Sequence, residues 1–134
     1  MDEVRPSAQS PSETELVLLK LFWRGGAMSA REVQALAGPE LGWAVSTTRT
    51  ALERMRAKGL LERRSVHGMA VYQPAQGKVD VLGGVLRRVR RLLDIKGPLP
   101  VSAFSGSELL TREELDELEA LLARDETASP EAGR

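Results

Sequence analysis

The 134-residue chain has no cysteine and only one histidine, His67. The first absence excludes disulfides, thiolate zinc sites and cysteine nucleophiles, and it fits a reducing, cytoplasmic setting. The second leaves His67 with carboxylates alone as possible co-ligands, so no metal and no other cofactor is expected. Long hydrophobic runs are missing too. Leu16 to Leu19 is already interrupted by Lys20, and the acidic start Met1-Asp-Glu-Val-Arg-Pro is unlike a leader, so neither a signal peptide nor a membrane span is expected. There is no Gly-x-Ser-x-Gly elbow, no phosphate-binding loop and no histidine–carboxylate spacing, so no catalytic residue is assigned and the chain is expected not to be an enzyme. A hydrolase reading would have to rest on His67.

Net charge is also absent, but only as a sum. Residues 1–96 carry 16 Lys/Arg against 10 Asp/Glu, and residues 97–134 carry 3 against 9. The halves are therefore +6 and −6, with the basic excess concentrated between Arg49 and Arg91. That distribution predicts an anion-binding surface and an acidic tail. The length suits one compact domain plus an appendage, stable without covalent staples.

What is present is an order of elements. Residues 1–11, rich in Ser, Pro and Gln, read as a disordered arm. Ser12-Glu-Thr-Glu15 is a capping box that opens a first helix, which runs to Trp23 with Leu16, Leu19, Phe22 and Trp23 at helical spacing and ends at Gly25-Gly26. A second box, Ser29-Ala-Arg-Glu32, opens a helix with Ala30, Val33 and Leu36 inward, which Gly38-Pro39 is expected to close. A third helix spans roughly Val45 to Lys58. Val45, Thr48, Ala51, Leu52 and Met55 share one side of it, while Ser46, Thr47, Thr50, Glu53 and Arg54 lie on the other with Arg49 at the border. Two strands follow, about Leu60 to Arg64 and Met69 to Gln73, with Ser65-Val-His-Gly68 as the turn.

A polar, basic helix that leads through Lys58-Gly59 into a hairpin is the order of a winged helix-turn-helix, whose helix enters the major groove while its hairpin touches neighbouring backbone. The candidate DNA-binding residues are Ser46, Thr47, Arg49, Thr50 and Arg54 on the third helix, Arg64 and His67 on the wing, and Ser29 and Arg31 at the start of the second helix. Arg63 is a further candidate for phosphate. Trp23 and Trp43 are expected to pack rather than to stack on bases.

From Val79 the pattern becomes a narrow seam in which Leu82, Val85 or Leu86, Val89, and Leu92 or Leu93 recur three and four apart, flanked by Arg87, Arg88, Arg90 and Arg91. Gly83-Gly84 argues against one continuous helix there. Beyond the Gly97-Pro98-Leu-Pro100 break, Thr111-Arg-Glu-Glu114 caps a last helix striped by Leu115, Leu118, Leu121 and Leu122. Neither stripe is expected to be buried within one chain, so Leu82, Leu86, Val89, Leu92, Leu93, Leu115, Leu118 and Leu122 are expected to form a homodimer interface. The reading is α+β and mostly helical, with a winged helix-turn-helix at 12–76, a helical dimerisation region at 77–124 and a flexible tail at 125–134.

The segments Leu16 to Trp23, Ser29-Ala-Arg-Glu-Val33, Gly42-Trp-Ala44, Thr47-Thr-Arg-Thr-Ala-Leu52, Arg54-Met-Arg-Ala-Lys-Gly-Leu60 and Val71-Tyr-Gln-Pro74 resemble the penicillinase-repressor family (BlaI/MecI/CopY type) over about residues 12 to 122. The resemblance implies a bacterial winged-helix repressor that binds double-stranded palindromic operator DNA as a dimer, with Ser46, Thr47, Arg49 and Thr50 on the recognition helix. Thr48 stands where the family has an aliphatic residue. Antibiotic-responsive members are released when a regulatory protease cuts an Asn-Phe bond, but Ala103-Phe104 stands at that place here and the chain has no asparagine. Copper-responsive members use C-terminal cysteines, which are absent, so the inducing partner is left open. The rival reading is a winged-helix protein-interaction module without DNA binding.

Overall fold

The computed structural model describes the backbone of residues 10–132 and the side chains of residues 10–124. Contacts divide the chain into two units, Met1–Gln76 and Gly77–Arg134. All but Ser10 and Pro11 of the expected N-terminal arm lies outside the described residues, and Pro11 is buried.

The first unit contains α1 (Glu13–Gly25), β1 (Met28–Ser29), α2 (Ala30–Leu41), α3 (Val45–Ala57), β2 (Leu61–Val66) and β3 (Met69–Pro74). Both expected capping boxes form. The Ser12 amide donates to Glu15 Oε1 at 2.9 Å and the Glu15 amide to Ser12 Oγ at 3.2 Å. Ser29 and Glu32 repeat the exchange at 2.8 and 3.2 Å. With these end amides satisfied, α1 packs on α2 and β3 and α2 packs on α3, and Leu18, Leu19, Phe22, Val33, Leu52 and Met55 form the core with Leu60, Leu61 and Tyr72. Lys58 Nζ reaches Glu15 Oε1 at 2.7 Å and ties the end of α3 to the start of α1. Burial pushes the Glu15 carboxyl up, but the Lys58 ammonium and the Ser12 amide outweigh it and hold the group below its ordinary range.

Several expectations change here. The second helix does not stop at Gly38-Pro39 but continues to Leu41, where Gly42 takes the left-handed conformation at φ 70°. Gly38 is needed as a small residue: a Cβ there would lie 2.7 Å from Gln34 Nε2, whose amide donates to the Trp43 carbonyl at 3.0 Å and fixes the turn into α3. Pro39 withholds a donor only from the Ala35 carbonyl, on an exposed residue that water can reach. Leu36 is exposed and Ala37 is buried in its stead.

β1 was not foreseen, because two residues cannot show a period. It pairs Met28 with Tyr72 and Ser29 with Val71, giving the antiparallel order β1-β3-β2. The hairpin turn is also shorter than expected. Ser65 and Val66 are strand residues paired with Ala70 and Met69, which leaves His67-Gly68 as a two-residue turn at φ 53° and 78°. Positive φ at both central positions matches the right-handed twist of the strands that the turn joins. Thr48, finally, is fully buried, and its hydroxyl donates to the Ala44 carbonyl at 3.1 Å, so a polar group stands in an aliphatic position without being left unpaired.

The second unit contains α4 (Lys78–Leu92), a 3-10 turn (Val101–Phe104) and α5 (Arg112–Ala132). The Thr111–Glu114 box closes at 2.9 and 3.0 Å, and Lys78 Nζ binds both Glu114 Oε1 at 3.0 Å and the Leu109 carbonyl at 2.7 Å. α5 runs on through residues expected to be tail. Contrary to expectation, α4 also passes unbroken through Gly83-Gly84. Gly83 is buried where α5 crosses, and a Cβ there would lie 2.6 Å from Leu121 Cδ2 and 3.6 Å from Leu118 Cδ1. The close approach buries Leu118, expected at a dimer interface, inside its own chain together with Val81 and Val101.

The two glycines should therefore respond in opposite ways. At Gly84 a Cβ meets only Arg87 Nη1 at 3.8 Å, so Gly84→Ala is expected to stabilise by about 0.5–1 kcal/mol through helix propensity. Gly83→Ala gains the same propensity but must displace a Leu121 methyl, and Gly83→Leu overfills the crossing at a cost of about 1–3 kcal/mol. Urea unfolding of the three variants checks this. Equal effects at both positions would mean that Gly83 is not at a helix crossing.

Candidate nucleic-acid interface

The polar side of α3 is where the sequence placed it. Ser46, Thr47, Arg49, Thr50 and Arg54 are all exposed, and their side chains make no hydrogen bond or ion pair among the described residues. α3 has no side-chain cap at Ala44. Ser46, Arg49, Thr50, Glu53 and Arg54 line one groove of about 480 Å³ along the helix.

Arg49 is shared with a second groove, of about 580 Å³, where it meets Arg31 of α2 and Met69 and Ala70 of the wing. The fold thus brings Arg31 and Arg49 to one concave surface although they are far apart in sequence. Ser29 lines the same groove, but it is buried and its hydroxyl is engaged in capping α2. His67 stands exposed at the hairpin tip. Arg64 is exposed on β2 and points to the opposite side of the sheet from Arg63, as alternation requires.

Arg63 differs from the other candidates. Its Nη1 lies 2.7 Å from Glu53 Oε2, which also accepts a hydrogen bond from the Tyr72 phenol at 2.6 Å. Glu53 Oε1 accepts from Arg56 Nε at 3.1 Å and Nη2 at 2.9 Å. The Tyr72 hydroxyl, Arg56 and Arg63 together hold the Glu53 carboxyl down, from the usual 4.5 to about 2. The Tyr72 phenol is pushed up by burial and by the neighbouring carboxylate. The sequence placed Glu53 only on the polar side of the third helix, with no partner named. The available signal was an acid in the middle of a basic, hydroxyl-rich face that is followed by a hairpin carrying Arg and Tyr.

In the second unit the seam residues divide. Val89 and Leu92 of α4 and Leu93, its C-cap, are exposed, as is Phe104, while Leu82, Leu86, Leu115 and Leu122 are half-buried and Leu118 is buried. Among the described residues no three His, Asp or Glu side chains converge as a metal site, and no helix is long and apolar enough to cross a membrane.

A basic, hydroxyl-bearing helix face beside a two-residue-turn hairpin can bind phosphates and read base edges. A family model described as penicillinase repressor matches residues 11–124. No curated protein matches the chain significantly.

Proposed function

Because this chain belongs to the penicillinase-repressor family, whose members are non-enzymatic DNA-binding transcriptional repressors, we propose that it acts as a homodimer on a palindromic operator. α3 lies in the major groove and the β2–β3 hairpin lies along the adjoining backbone. Arg49 reads a base edge, Ser46, Thr47 and Thr50 contact bases and phosphates, and Arg31, Arg54, Arg64 and His67 take phosphates. Ser29 contributes by fixing the start of α2. Such a repressor works in the cytoplasm, where the operator is. The observation that carries this reading is a contrast among the cations: Arg49 and Arg54 of α3 have no partner among the described residues, whereas Arg56 at the end of α3 and Arg63 on β2 are bound to Glu53.

Selection from a random duplex pool with the purified full-length protein tests it. The expected product is a symmetric site with half-sites one helical turn, about 10 base pairs, or a multiple of that apart. Recovery of no sequence, with negligible salt-dependent affinity for any duplex, would favour the protein-interaction module instead.

Release by an asparagine-directed protease is not expected. Ala103 and Phe104 are exposed in the 3-10 turn, so the segment is reachable, but alanine offers no amide to a pocket built to hydrogen-bond one. Incubation of the dimer with a family sensor protease, followed by mass spectrometry of the termini, should show no cut between them. Efficient cleavage there with loss of DNA binding would contradict this. A small ligand, a partner protein or a protease of other specificity is then the inducing partner.

A further inference from the structure

A helix that reads DNA has little use for a negative charge on its exposed face, yet Glu53 lines the same groove as Arg49 and Arg54. Each of its two oxygens has two donors, from Arg56 on α3, from Arg63 on β2 and from Tyr72 on β3. Arg63 and Tyr72 are themselves directly opposite each other in the hairpin. One carboxylate therefore spans the helix and both strands of the wing.

We propose that Glu53 is a positioning residue for operator discrimination: it fixes the wing against α3 and holds Arg56 and Arg63 away from phosphate. This rests on the interface proposed above for α3. Affinity for random DNA grows with the number of cations that reach phosphates, whereas affinity for the operator also includes base contacts such as that of Arg49. A guanidinium bound to a carboxylate cannot turn the same N–H groups to a phosphate, and the carboxylate itself repels one. Keeping two arginines paired therefore lowers random binding and leaves base reading intact. Because the carboxyl titrates only near pH 2, it is charged wherever DNA is bound, so the restraint is permanent rather than a switch.

Glu53→Gln is the informative substitution, since glutamine keeps an oxygen for the buried Tyr72 hydroxyl but removes the charge. The variant of the full-length dimer is titrated with its selected operator and with a random duplex across about 50–300 mM salt. Random-duplex affinity is expected to rise about three- to tenfold near 0.1 M salt, with the salt slope steeper by about 0.9 for each arginine that finds a phosphate. The operator-to-random ratio falls accordingly. Adding Arg63→Gln to Glu53→Gln should reverse most of the rise, which a merely structural role for Glu53 would not produce. Random-duplex affinity that is unchanged or lower in a folded Glu53→Gln protein overturns the proposal.

Should that variant fail to fold, Arg63→Gln alone decides. An unchanged salt slope on the operator supports the proposal, and a slope shallower by about 0.9 makes Arg63 a phosphate contact and overturns it. An Arg49→Ala protein that binds its operator as tightly as the parent would instead remove the α3 interface on which the proposal stands.

Discussion

Charging the end of α4, by Leu92→Glu with Leu93→Glu, is expected to give monomers whose operator affinity is lower by about 10²–10⁴-fold, because a dimer's second half-site is bound at high effective concentration and a monomer's is not. Leu92 and Leu93 are 70% and 65% exposed in the single chain. Val89 lies three and four residues before them and is also exposed, so the three form one stripe on α4, with Leu82 and Leu86 continuing it in heptad steps toward the start of the helix. Removing a leucine side chain from water contributes about 1.5–3 kcal/mol when its burial is complete, so two per protomer, doubled by symmetry, are a large part of what must offset the roughly 4–15 kcal/mol that association costs. Glutamates in their place would have to be desolvated at the interface without partners. The substitutions lie on an exposed surface and away from the buried crossing of Gly83 with Leu118 and Leu121, so each monomer should stay folded. Sedimentation velocity reads the oligomer and a half-site duplex reads the remaining monomer affinity. A variant that sediments like the parent would place the interface elsewhere.

Leu92 and Leu93 are only part of the set that the bare sequence marks for the interface, and the structure narrows that set for a physical reason. Periodicity marks which residues share a face but not which chain covers it. Leu118 was legible as apolar and helical, yet its burial within one chain follows from Gly83, whose missing side chain lets α5 approach α4 closely. A glycine pair weakens a helix by propensity, and that local rule was overridden by packing. The same holds at Gly38, where a local stop signal is outweighed by the Gln34 amide bridging to Trp43. Signals whose physics is complete within four residues were the legible ones: all three capping boxes form, and the polar and apolar sides of α3 are as spaced. Long-range pairings were not. β1 exists only because β3 offers it a partner, and Glu53 becomes a hub only when Arg63 and Tyr72 are folded over it.

Arg49→Ala is expected to cost about 1–3 kcal/mol at each half-site and to relax preference at one position per half-site. Arg49 stands in the second turn of α3, and the N-terminal part of a recognition helix is the part that reaches base edges. It is exposed, it has no partner among the described residues, and it borders both grooves, so its guanidinium can turn toward a base without breaking an existing bond. Arg64 is also exposed, but it lies on a strand of the wing, which in the proposed arrangement runs along the backbone beside the groove. Arg64→Ala should therefore weaken every duplex alike and make the salt slope shallower by about 0.9 per protomer. Arg49→Lys adds a finer test. Lysine keeps the charge and would preserve a phosphate contact, but it cannot present two parallel N–H groups to the O6 and N7 of guanine, so specificity should fall nearly as far as with alanine. Competition binding with operators substituted one position at a time separates these outcomes. Equal losses on operator and random DNA for Arg49→Ala, with full recovery by lysine, would make Arg49 a phosphate contact and move base reading to Ser46, Thr47 and Thr50.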